Sequence, residues 1–330
     1  MTTAVTETAI TPELNPVATA STGPILLAVD GSPDSDLAAR AAIDLARALK
    51  QDLHVVHCWI PMNTAYGTAG QPSVEIDFDL LYRQPAKEQL HAQVEGLERL
   101  GAEVAAEHLL MGRASEQIPD LATLLGAQMI LIGSRGFGAV KRLLLGSTSE
   151  AVVHTAPTPV LVVRGGVHAW PPDQILVGSD GSDQARRAAL AAASLARASG
   201  APLTIVTVIQ PAWLVAGTSG EARTSGAARA TAERMTRELA DQVAAVYDIA
   251  VKTSVLIGDP AASLITAATA VPTPALIAVG WRGLGAIDRL TLGSVSTKVL
   301  HSAPGPVLIT RLVREAKPLG PVALPTVPVT

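Results

Sequence analysis

The chain has a single cysteine, Cys58, in 330 residues, which excludes an internal disulfide framework and fits a reducing compartment. Aromatic residues are also scarce, at 3% of the total with two phenylalanines. A core built without them must use small aliphatic side chains. A composition that is 48% apolar and rich in Ala, Leu and Val suits helices packed closely on a parallel sheet, and it excludes disorder for the bulk of the chain. No apolar run reaches the roughly 18–20 residues that a membrane span requires. Residues 1–22 contain Glu7 and Glu13 but no Lys or Arg, so the charged start of a signal peptide is missing. A cytoplasmic protein with no membrane span is expected. Basic clusters are missing too. With 25 basic residues against 29 acidic ones and a pI near 6.0, the chain lacks the footprint of a nucleic-acid binder.

What the chain does have is a repeat. Gly133-Ser-Arg-Gly136 leads after nine residues to Gly146-Ser147, and the same spacing returns 147 positions later as Gly280-Trp-Arg-Gly283 and Gly293-Ser294. Each copy follows an apolar run, Met129 to Ile132 or Ala275 to Val279, and leads into a short helical segment. That is the layout of a phosphate-binding turn, because glycines let backbone approach a phosphate and a helix start favours its charge. The repeat extends outward. Ile25 to Ser32 matches Ile175 to Ser182, and Leu53 to Cys58 matches Leu203 to Val208, both at an offset of 150. The second copy is therefore three residues shorter, between its second strand and its glycine turn.

Each copy reads as strand, helix, strand, long connection and helix, strand, helix, strand, glycine turn, helix, strand. The strands are predicted at 25–29, 53–58, 104–110, 128–132 and 159–163, then at 175–179, 203–208, 250–257, 275–279 and 306–310. Alternation of strands and helices predicts an α/β fold, two doubly wound and mainly parallel five-stranded domains. Ligands then bind outside the carboxyl ends of the strands at a topological switch point. Ser32 with Pro33, and Ser182 in the second copy, cap the first helix, and Leu37, Ala41, Leu45 and Leu49 give it one apolar face. The domains are expected at 23–164 and 174–312, with a Gly- and Pro-containing spacer at 165–173. Residues 1–22 and the Pro-rich tail at 313–330 are expected to be extended or disordered.

Several polar residues admit a plain structural reading beside a functional one. Asp30 and Asp180 are either turn formers or ligand contacts at a strand end. His154 and His301 fall near a helix C-terminus, where they complement the dipole rather than act as bases. His54 and His57 point to opposite faces of a strand and cannot share a metal, and no Cys/His cluster has zinc spacing. Cys58 reads as a small apolar residue lining a strand end rather than a reactive thiol. Arg142 and Arg289 repeat as surface or phosphate-contacting arginines, and Trp59 and Trp213 either cover the crevice or pack under the long loop.

The Asp-Gly-Ser after strand one, the G-x2-G-x9-G-S pattern after strand four and the closing His154-Thr-Ala-Pro-Thr-Pro together resemble the universal stress protein family in its ATP-binding branch. His301-Ser-Ala-Pro-Gly-Pro repeats the last of these in the second half. The resemblance spans about 24–164 and 174–311. It implies a five-stranded nucleotide fold in each half and one ATP per half, with Mg²⁺ near Asp30 and Asp180. It further implies that 159–163 and 306–310 pair within one chain as a pseudo-dimer, with further homodimerisation open. Ala28 and Gly178, Cys58 and Val208, with Ile132, Gly133, Val279 and Gly280, would border the nucleoside. Gly136, Gly146, Ser147, Thr148 and Ser149, and in the second half Gly283, Gly293, Ser294, Val295 and Ser296, would cradle the phosphates. Arg135 and Arg282 match in register beside them. Thr148 stands opposite Val295, and Lys141 stands opposite Asp288, a difference of charge that points to unequal affinities. Neither copy carries G-x4-G-K-[ST], so the expected function is a nucleotide-dependent regulator in stress adaptation rather than an enzyme, with at most slow ATP hydrolysis and an unidentified protein partner. The alternatives are an ATP pyrophosphatase or adenylating enzyme, suggested by Asp30-Gly-Ser-Pro-Asp-Ser35, and a ligand-free scaffold.

Overall fold

Three strands of the first half, β1 (Ile25–Ala28), β4 (Met129–Gly133) and β5 (Val160–Val163), are apolar runs buried at every residue, and β2 (Leu53–Trp59) lies beside them with two histidines in its run. Continuous apolar runs mark parallel strands covered on both faces. The computed structural model describes residues 23–60, 79–136, 145–166, 169–211, 221–273, 275–283 and 292–311. The sheet order is β3-β2-β1-β4-β5-β10-β9-β6-β7-β8, where β3 is Val104–Met111 and β6 to β10 are Ile175–Ser179, Leu203–Ile209, Val251–Ile257, Leu276–Gly280 and Val307–Thr310. All ten strands lie within one residue of their predicted ends. Every neighbouring pair is parallel except β5 and β10, which run antiparallel with Leu161 opposite Leu308. The pairing implied between the last strands of the two halves is therefore present within one chain, and it merges the halves into one ten-stranded sheet. The outermost strands have no buried residue, and Glu107 and Lys252 place charge there, as exposed sheet edges require.

Helices cover both faces. On one lie α1 (Pro33–Leu49), α2 (Gln84–Arg99), α5 (Asp183–Ser199) and α6 (Glu221–Tyr247); on the other lie α3 (Ala114–Leu125), α4 (Ser147–Thr155), α7 (Pro260–Ala268) and α8 (Ser294–Ser302). Helices α1 and α5 pack against each other, and Ala38, Ala41, Ala188 and Ala192 on them are fully buried. Alanine lets two helices approach each other and the sheet, which is how a core with few aromatics closes. Each core crosses the seam, since one joins Leu161 to Leu308 and the other joins Val160 to Val307. Val104 and Val251 open β3 and β8, so the three-residue shortening lies before the third strand of the second half.

The segment read as a spacer is packed. Ala169 and Trp170 are buried, and the Trp170 indole donates to Asp44 Oδ2 at 3.0 Å. The expectations for 1–22, 313–330, Lys141, Asp288, Arg142, Arg289 and Trp213 lie outside the described residues.

Candidate functional site

The strand order reverses between β1 and β4, so the loops leaving their carboxyl ends splay to opposite faces and open a crevice. After β1, Asp30 accepts from the Ser32 amide at 2.9 Å, a turn that Gly31 permits with φ of 82°. Ser32 caps α1 through the Ser35 amide at 3.3 Å and donates to the Arg135 carbonyl at 2.9 Å. The loop after β1 thus holds the loop after β4. Asp34 reinforces this by accepting from Ser134 Oγ at 2.6 Å and from Arg135 Nε and Nη2 at 2.9 and 3.2 Å. Ser149 reaches back from α4 to the Gly133 carbonyl at 2.7 Å.

These contacts frame a cleft of about 720 Å³, within the range of small-molecule sites. All eleven site residues expected in the first half line it, from Ala28 and Asp30 through Cys58, Ile132, Gly133, Arg135 and Gly136 to Gly146, Ser147, Thr148 and Ser149. Its apolar wall also includes Val56 and Ile118, and Ala114 stands at its rim. The sequence reading missed the residues from α3. The available signal was the glycine that ends the third strand in both halves, Gly112 and Gly258, each at positive φ, which turns the chain so that α3 covers the cleft. Asp34 was missed because its counterpart is Gln184. Burial pushes the Cys58 thiol up to about 12, which agrees with its apolar reading.

Each glycine has an identifiable neighbour. A Cβ at Gly133 would meet the α1 backbone at Asp34 and Ser35, both at 2.6 Å, and one at Gly136 would lie 2.5 Å from Asp30 Oδ2. In the second half a Cβ at Gly280 would strike Gln184, and one at Gly283 would strike the Asp180 carboxylate. The first and second glycines therefore let strand four meet the first helix and let the turn touch the strand-one aspartate. Gly146 and Gly293 cap α4 and α8 without any side-chain hydrogen bond. Ser32, Ser182 and Asp259 do supply such bonds, to α1, α5 and α7. The start of α4 lines the cleft without a side-chain cap, an arrangement suited to an anion, and α8 starts in the same way.

The second half repeats this frame. Asp180 accepts from Ser182 at 3.0 Å and Ser296 donates to the Gly280 carbonyl at 2.6 Å. Gly178, Val208, Val279, Arg282, Ser294 and Val295 occupy the matching strand ends and helix start. Of the positions that differ, two change the packing around the frame. Gly178 replaces Ala28, and Leu264 of α7 fills the space where its Cβ would be. Trp281 replaces Ser134 and is buried.

Trp281 meets the other half. The His154 ring stands edge-on to it with centroids 5.4 Å apart, and the Arg311 guanidinium lies 4.7 Å above it. Arg311 also donates to the His154 carbonyl at 3.2 Å, and its counterpart Arg164 reaches the Ala303 carbonyl at 3.5 Å. Each half thus sends an arginine to the C-terminal end of the other half's glycine-turn helix, where a cation is favoured. Burial lowers the Arg164 pKa to about 10, partly offset by Asp34, with Arg135 adding to the lowering. His301 bonds Glu150 across the seam at 3.2 Å. The repeated histidines join the halves rather than cap their own helices. His57 bonds the Val29 carbonyl at 2.9 Å, while His54 on the opposite face bonds His108 at 3.0 Å. Among the described residues no group of three His, Cys, Asp or Glu is placed to hold a metal, and no helix is long and apolar enough to cross a membrane.

The fold and the first-half cleft define a tandem doubly wound α/β protein with a switch-point site whose frame recurs in the second half. The sequence pattern described as the Universal stress protein family matches residues 22–164 and 172–311, and the chain belongs to that family. A universal stress protein of Mycolicibacterium smegmatis is 29% identical over 304 residues, covering 87% of this chain and 96% of the relative. One from Mycobacterium tuberculosis is 31% identical over 313 residues, covering 88% and 96%. The crystal structure of a universal stress protein from Archaeoglobus fulgidus superposes with a TM-score of 0.63 at 22% identity, covering 88% of this chain and 99% of that one, a likeness of fold.

Proposed function

We propose that the protein binds one ATP in each half and acts as a nucleotide-dependent regulator in stress adaptation, with little or no hydrolysis. The observation that carries this reading is the first cleft, which joins an apolar wall of Ala28, Val56, Ile118 and Ile132 to the α4 start capped by glycine alone. A purine suits the wall, and phosphates suit the amides of the Gly146 turn. Asp30, at the strand end against Gly136, is the carboxylate for a phosphate-bound Mg²⁺, which needs one or two carboxylates with phosphate and water. Asp180 has that role in the second half. Arg135 is held by Asp34 and serves as a strut behind the phosphate turn.

The adenylating alternative is disfavoured by the loop it relies on. Ser35 Oγ accepts the Asp30 amide at 3.3 Å and Asp34 is bound to Ser134 and Arg135, so the Asp30 to Ser35 segment is engaged in holding the turn. A regulator needs a ligand with different affinity for two states, and the contacts between α4, α8 and Trp281 are where the two sites touch the same seam.

The test is the nucleotide released on denaturing the purified protein, with ATP titration of Gly136→Ala, Gly283→Ala and the pair. We expect two nucleotides per chain, about one in each single variant and none in the double. Full occupancy in the double variant refutes the site, and one nucleotide per unmodified chain refutes the two-site reading.

A further inference from the structure

On the face that carries α1 and α5, the pseudo-two-fold creates two equivalent places beside the β5–β10 seam. At the first, the chain leaves β5 at Arg164, turns at Gly165 with φ of 102°, and buries Trp170 in the cluster that includes Leu37 and Ala41. The Trp170 indole reaches Asp44, and a Cβ on Gly165 would lie 3.0 Å from the Pro304 carbonyl. At the second place, beside α5, there is a groove of about 210 Å³ lined by Leu190, Ala191, Ser194, Pro159, Thr310 and Arg311. Ala191 and Ser194 stand 150 positions after Ala41 and Asp44, and Arg311 stands 147 after Arg164. The groove is the twin of the one the linker fills.

We propose that the α5 groove is the docking site of this chain's own C-terminal segment, residues 312–319, laid in as the linker is laid beside α1. The segment starts at the groove, because Arg311 lines it and 19 residues follow. The 147 offset also continues past the arginine, since Ala169-Trp170-Pro171 is matched by Ala316-Lys317-Pro318. The one change in that triplet, Trp to Lys, accompanies a change in the groove. Thr310 stands where the first half has Val163, Gln128 where the second half has Ala275, and Ser194 where α1 has Asp44. Thr310 Oγ1 and Gln128 Oε1 are buried with no hydrogen-bond partner, and both residues line the groove. Both residues make the wall of this groove more polar than that of its twin. A more polar groove is thus matched by a more polar segment.

Disulfide trapping tests this on the full chain with Ser194→Cys/Lys317→Cys, against Ser194→Cys/Thr330→Cys as control. The first pair should close within one chain about tenfold faster, as expected for tethered partners at high effective concentration. Hydroxyl-radical footprinting is the second measurement. A chain ending at Arg311 should show more labelling of Leu190 and Tyr247, and a synthetic peptide of residues 312–330 should reverse it. Equal trapping rates, trapping only between two chains, or unchanged labelling on truncation each overturn the proposal. Suppression of labelling by a peptide of the linker sequence but not by the tail peptide also overturns it, in favour of an aromatic partner segment. None of these outcomes depends on nucleotide, so the proposal stands or falls apart from the ATP reading.

Discussion

Alanine at Gly133 and at Gly136, three residues apart on one turn, should separate fold from ligand. At Gly133 the new methyl would sit 2.6 Å from two backbone atoms of α1 and 2.9 Å from the Asp34 carbonyl oxygen. Backbone at a helix start cannot rotate away, so strand and helix must separate. Overpacking of this kind costs about 1–3 kcal/mol, and the entropy removed from the unfolded chain returns about 0.4–1 kcal/mol. The net loss of roughly 0.5–2.5 kcal/mol corresponds to a fall in Tm of roughly 2–8 °C for a unit of this size. At Gly136 the near neighbour is one side-chain atom, Asp30 Oδ2 at 2.5 Å. Asp30 can swing aside at the cost of its bond to the Ser32 amide, which water partly replaces, so the loss stays below about 1 kcal/mol. The turn nevertheless loses its close approach and its aspartate, and ATP affinity in that half should fall at least about tenfold, or 1.4 kcal/mol. Circular-dichroism melts and calorimetric titration read the two effects on the same samples. The reasoning is refuted if Gly133→Ala melts like the unmodified chain, or if Gly136→Ala melts as early as Gly133→Ala while first-half affinity is kept.

Three further outcomes follow from the described contacts. Cys58, raised from 9.0 to about 12, should react with iodoacetamide about a thousandfold more slowly in the folded than in the unfolded chain, because thiolate is the nucleophile; the same shift makes the folded state lose stability as pH rises from about 9 towards 12. Burial lowers the pKa of both His54 and His108, with Asp52 partly opposing at His54 and His54 adding at His108. Their contribution is present above the ordinary imidazole value of 6.5 and is lost as pH falls below it, so His54→Thr, the residue at position 204, should flatten the decline in Tm between about pH 7 and 5. Trp170→Ala should cost about 3–5 kcal/mol in a urea melt, as emptied aromatic sites do; a loss below about 1 kcal/mol would show that the linker is a spacer after all.

The sheet was legible because its signals are local and doubled. Apolar runs such as Ile25–Ala28 and Val160–Val163 mark buried strands without help from partners, and the offsets of 150 and 147 give the same reading twice. The cleft residues were legible because glycine, aspartate and helix start are contiguous in sequence. What escaped was made by contacts between distant segments of unlike chemistry. The grip of Asp34 on Arg135 has no acidic echo at Gln184, and the bond between His54 and His108 joins residues on different strands. The seam contacts of Trp281 with His154 and Arg311 arise only when the halves meet, so periodicity within either half carries no trace of them. The glycines and prolines of the linker read as a spacer, whereas the burial of Trp170 depends on α1, which lies far from it in sequence.

The antiparallel meeting of β5 and β10 in one polypeptide has a consequence for how the halves can diverge. In a two-fold dimer of identical chains, every residue near the axis meets its own copy's surroundings, so each substitution is tried on both sides at once. Fusion removes that constraint. Trp281 can face His154 while its twin Ser134 stays bonded to Asp34, and Glu150 can meet His301 while Thr297 stands at the mirrored place. One gene product thereby fixes two unequal halves at a ratio of one to one, and each can specialise without waiting for the other.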